Sequence, residues 1–138
     1  MAAYRDCYAE LEAADAQVVA VSVDTPEKSA DLSASLKLPF PLLSDVRKDV
    51  LVAWKALNTK ARGGIAFPSS WVIDRELVAR YRVLERTKER VSPVPVLGFL
   101  RGELSPEQAS ELTTIGLNVQ GSARWVKDMV SGALRKKE

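Results

Sequence analysis

The 138-residue chain contains no histidine. That absence removes a Ser-His-Asp or Cys-His arrangement, an HExxH zinc site and an imidazole general base together. Cysteine is nearly as scarce. Cys7 stands alone, which excludes a CxxC redox pair, an intrachain disulfide and a cysteine-rich metal centre. Any redox chemistry performed here runs through one thiol or through a partner. No wholly apolar run approaches the ~20 residues that cross a bilayer. Met1 leads into Arg5, Asp6 and Glu10 rather than into the apolar core of a secretory signal. The expectation is a cytoplasmic protein with no membrane partner.

A dominant charge is missing too. Twenty basic residues against 18 acidic give a net charge of +2, spread along the chain apart from Arg135-Lys136-Lys137, a run that suits the negative pole of a terminal helix. No basic stripe is interleaved with aromatics, so no nucleic-acid partner is expected. Gly63-Gly64 lacks the spacing of a phosphate-binding loop. Asp24 and Asp45 have no third acidic residue or histidine to complete a metal site, so neither cofactor nor metal is expected.

What is present fits one compact domain with a modest appendage: 46% of the residues are hydrophobic and 28% charged, neither disordered nor fibrous in character. Tyr4, Cys7, Tyr8 and Leu11 recur at helical spacing and predict a first helix with Cys7 on its apolar stripe. The β-branched run from Val18 to Val23 predicts a strand covered on both faces in a parallel sheet. Thr25-Pro26-Glu27 caps a second helix that runs to about Lys37. Two prolines make Leu38 to Leu43 extended. Ser44-Asp45 caps a third helix with Val46, Val50, Ala53, Trp54 and Leu57 on one face.

Residues 58–67 are expected as a loop, followed by strands over 69–74 and 78–83 joined by a tight turn. Ser92 caps another helix, with Pro93 and Pro95 in its first turn and Gly102 closing it. From Ser105-Pro-Glu-Gln108, a capping box, residues 103–138 are expected as a helical hairpin added to a βαβαββα core. Trp54, Trp71 and Trp125 lie on apolar faces and are expected in the packing rather than around a ligand.

Several segments, in order and spacing, resemble the alkyl hydroperoxide reductase/thiol-specific antioxidant (peroxiredoxin) family, in its bacterioferritin-comigratory-protein-like branch. They are Ala3 to Leu11, Val18 to Asp24, Leu38-Pro-Phe-Pro-Leu-Leu-Ser-Asp45, Gly63-Gly-Ile-Ala66 and Trp71-Val-Ile-Asp74. The resemblance covers residues 1–102. It implies an α/β thioredoxin-like fold, a mixed sheet flanked by helices, incomplete at its N-terminus and extended by residues 103–138. It also implies a thiol peroxidase acting on hydrogen peroxide or organic hydroperoxides, with a thioredoxin-like reductant.

In that family the nucleophilic cysteine sits in the first turn of the helix that begins this chain, after a central apolar strand and a Thr-x-x-Cys or Cys-Pro-x-Cys sequence. A helix N-terminus and a nearby arginine lower its pKa. Both strand and cysteine are expected upstream of Met1. Cys7, further along the helix, is expected as a buried thiol, with a reactive or resolving role as the alternative. Many relatives carry an arginine directly after the Gly-Gly-Ile-Ala segment, where this chain has Phe67. Arg90, and less so Arg62, are the candidate substitutes.

Three functions follow as hypotheses. The first is a peroxiredoxin-family peroxidase whose 138 residues lack the nucleophile and are inactive alone. The second is a non-catalytic thioredoxin-fold interaction module. A flavodoxin- or receiver-like domain is the third, but it wants a glycine-rich phosphate loop or an acidic cluster. In the thioredoxin fold the missing strand lies between Val18–Val23 and Ser69–Asp74. The chain alone is therefore expected to be poorly soluble, or to close the gap by re-pairing strands or forming a homodimer.

Overall fold

The computed structural model describes residues 1–61, 63–84 and 92–104. The first helix forms where the spacing places it but is broken at Cys7 into α1 (Ala2–Asp6) and α2 (Tyr8–Ala13). Cys7 has φ −108° and ψ 17° and serves as the C-cap of one helix and the N-cap of the other. The single helix expected is thus corrected to a kinked pair. Tyr4, Cys7 and Leu11 still share one apolar side, where Leu11 is only 1% exposed, whereas Tyr8 turns to the ring of Phe40, 5.8 Å away.

β1 (Ala20–Ser22) follows, then α3 (Pro26–Leu36). Thr25 caps α3 by accepting from the Lys28 N–H, and Lys37 ends it in the left-handed region. The extended 38–43 segment leads into β2 (Leu42–Ser44), which pairs with β1 in parallel, Val21 opposite Leu43. Buried Ser29 of α3 meets Ser44 of β2 through their hydroxyls at 2.9 Å.

α4 is shorter than expected, Asp49–Ala53, and the Asp45 cap works from a distance. The N-cap position is Lys48, while buried Asp45 accepts from the Val50 and Leu51 N–H groups at 3.0 and 3.1 Å, satisfying two donors of the first turn. The buried face is Val50, Leu51 and Trp54; Val46 and Ala53, expected there, are exposed. The physical reason is the left-handed Lys48, which starts the helix after Val46 and rotates its register.

Residues 58–67 are not wholly a loop. β3 (Leu57–Asn58) and β4 (Ile65–Ala66) form a short antiparallel bridge. Gly63 and Gly64 turn the chain with φ of +78° and +67°, which residues with a Cβ rarely adopt.

β5 (Ser69–Ile73) and β6 (Ala79–Leu84) make the expected hairpin. Val72 faces Tyr81 and Ile73 faces Ala79, so Arg80 is the extra residue of a bulge. Both faces of the hairpin are covered. Trp71, Ile73 and Ala79 pack with Val50 and Trp54 of α4 on one side. Val72, Tyr81 and Val83 pack on the other with Leu11, Cys7 and α5 (Val94–Leu100), whose Val96 and Leu97 are buried. Ser92 accepts from the Val94 N–H at 3.2 Å, and Gly102 leaves α5 with φ +71°.

Parallel and antiparallel strands flanked by helices are the mixed, thioredoxin-like arrangement that the resemblance implies. The strands do not form one ladder. Among the described residues they fall into three separate pairs, β1-β2, β3-β4 and β5-β6. The helical hairpin expected over 103–138 lies outside the described residues beyond Leu104.

Candidate functional site

Cys7 is the chain's one thiol, and its surroundings follow from the helix break. Its carbonyl accepts from the Glu10 and Leu11 N–H groups at 3.0 and 3.2 Å, and its Sγ lies 3.7 Å from the Tyr4 carbonyl oxygen. Contrary to expectation, it does stand at a helix N-terminus, that of α2. The six-residue helix does not activate it. Burial against the α5 cluster pushes the thiol pKa up, and the Glu10 carboxylate, with Asp6 behind it, pushes in the same direction.

A peroxidatic thiolate also wants a cation. The six described arginines are engaged elsewhere. Arg5 donates to the Leu36 carbonyl at 2.9 Å and pairs with Asp6 at 2.7 Å. Arg47, Arg75, Arg80 and Arg101 pair with Asp49, Asp15, Asp74 and Glu10. Arg82 lies over the Trp71 ring at 5.3 Å. Arg90 and Arg62, the sequence candidates, lie outside the described residues. Phe67 is half-buried and its N–H donates to the Ala56 carbonyl at 2.8 Å. Among the described residues no three acidic or cysteine side chains are grouped as a metal would require.

The more distinctive feature is made of backbone. Ala20 donates to Pro41 at 2.9 Å and Ser22 accepts from Asp45 at 2.7 Å, so these two residues face β2. Alternation then turns the N–H and C=O of Val21 to the opposite edge, where no described strand meets them. β5 likewise has β6 on one side only.

Neither edge is guarded. No charged residue occurs from 16 to 23 or from 63 to 73. By contrast, the β6 edge carries Arg80, Arg82 and the bulge, the devices that blunt an exposed strand. The α1-α2 pair bridges the two sheets. Tyr4 Oη donates to Ser70 of β5 at 2.5 Å, while Arg5 reaches the end of α3 and Tyr8 packs on Phe40.

Sequence reading missed the break at Cys7 and the Tyr4–Ser70 bond. For the bond a signal existed, since a buried tyrosine hydroxyl needs a partner. For the break none did, because the apolar spacing runs through it without interruption.

The model of the AhpC/TSA family matches residues 1–82. A protein of Mycobacterium tuberculosis strain H37Rv named as a peroxiredoxin is 37% identical over 87 residues, covering 58% of this chain and 55% of the relative. One of Synechocystis, named likewise, is 30% identical over 86 residues, 57% of this chain and 42% of its own length. The chain thus spans about half the length of the curated relatives it matches. Among solved structures, Mycobacterium tuberculosis AhpC superposes with a TM-score of 0.66 at 27% identity, covering 77% of this chain and 62% of that one. The peroxidoxin BcpB from the same organism gives 0.65 at 22% identity over 75% and 68%, a likeness of fold.

Proposed function

The chain belongs to the AhpC/TSA family, and from that premise we propose that it is the scaffold of a thiol peroxidase whose nucleophile lies on a strand and helix start seated ahead of α1, between β1 and β5. The observation that carries this reading is the pair of unguarded edges. Among the described residues β1 and β5 are uncharged, half-buried and paired on one side only, which leaves each an edge that one extended apolar strand would pair. A cysteine following that strand would enter the first turn of the α1 helix, where orphan N–H groups and the dipole favour thiolate.

Such a thiolate attacks one oxygen of the peroxide. The O–O bond breaks, the other oxygen leaves as alcohol or water with a proton, and cysteine sulfenic acid remains. One thiol of a thioredoxin-like dithiol then condenses with the sulfenic acid, releasing water and leaving a mixed disulfide; the second thiol attacks that disulfide, so the cysteine returns as a thiol and the reductant leaves as a disulfide. Arg90 is the cation proposed beside the thiolate. Cys7, whose thiol pKa partial burial and the Glu10 and Asp6 carboxylates raise, is not the nucleophile in this reading. The same proposal keeps residues 1–102 as the peroxidase-type domain, residues 103–138 as a helical extension, a cytoplasmic location and a second copy as a partner.

A second reading, a non-catalytic interaction module, is favoured by one observation: the only thiol present is pushed away from thiolate. One experiment separates the two. Thioredoxin-coupled peroxide consumption is measured for the 138-residue chain and for the product of the longest in-frame reading at its locus, each with and without Cys7→Ser. The expected outcome is no turnover by the 138 residues, turnover by a longer product carrying an upstream cysteine, and no effect of Cys7→Ser. Failure of every product overturns the peroxidase reading, and turnover abolished by Cys7→Ser overturns the assignment of the nucleophile.

A further inference from the structure

We draw no further inference here: the strongest candidate, the pair of uncharged and unpaired strand edges on β1 and β5, belongs to the seat already described under the proposed function, and nothing else in the structure shows what would cover it.

Discussion

At Cys7 two effects oppose each other. Burial, with the neighbouring Glu10 and Asp6 carboxylates, disfavours the thiolate, and a backbone hydrogen bond favours it; the first set prevails. Alkylation by iodoacetamide should therefore be slow at neutral pH and rise only above the ordinary thiol range, a pH–rate profile being the check. The linkage has a definite sign. A thiol whose folded pKa lies above its unfolded value lends stability that is complete below the unfolded value and is lost as pH rises through the folded one. Alkaline solutions should weaken the fold at this position, and Cys7→Ala should remove that part of the pH dependence.

Leu11 makes the larger energetic contribution. It is 1% exposed and lies among Tyr81, Val96 and Leu97, so Leu11→Ala should cost about 2–5 kcal/mol in a denaturant titration. A loss within experimental error would mean that the α2–α5 contact is not a packed core.

Among the elements, the edges of β1 and β5 are the most open to measurement. In the 138-residue chain the amide of Val21 should exchange with deuterium faster than those of Ala20 and Ser22, which lie on the bonded side of β1. Equal protection would mean that this edge has found a partner. Much of this was legible beforehand. The Val18–Val23 run, the Thr25-Pro26 cap and the Ser69–Asp74 strand each carry a local signal, and each element formed within a few residues of it.

What could not be read depends on single backbone angles or on contacts far along the chain. The left-handed Lys48 moves the start of α4 and exposes Val46, and no residue type there demands it. The β3-β4 bridge pairs two-residue strands too short to show a period. For the candidate site, the family resemblance was legible from five dispersed segments. The surroundings of Cys7 were not, because the break that sets them leaves the apolar spacing intact.

At the scale of the whole molecule, the described residues are joined by side chains where a sheet would ordinarily join them by backbone. β1-β2 pack with α3, and β5-β6 with α4 and α5, while Asp45 ties the two groups together by donating to Ser22 of β1 and accepting from Val50 and Leu51 of α4. The α1-α2 pair adds further links through Tyr4–Ser70 on one side and Arg5–Leu36 and Tyr8–Phe40 on the other. The ties are several and run through different elements. Tyr4→Phe, which removes the bond to Ser70, should lower stability by about 1 kcal/mol in a denaturant titration. A stability equal to that of the parent chain would mean that this bond carries no net weight. Losing one tie leaves the others in place, so the Tyr4 substitution should soften the chain without parting its halves.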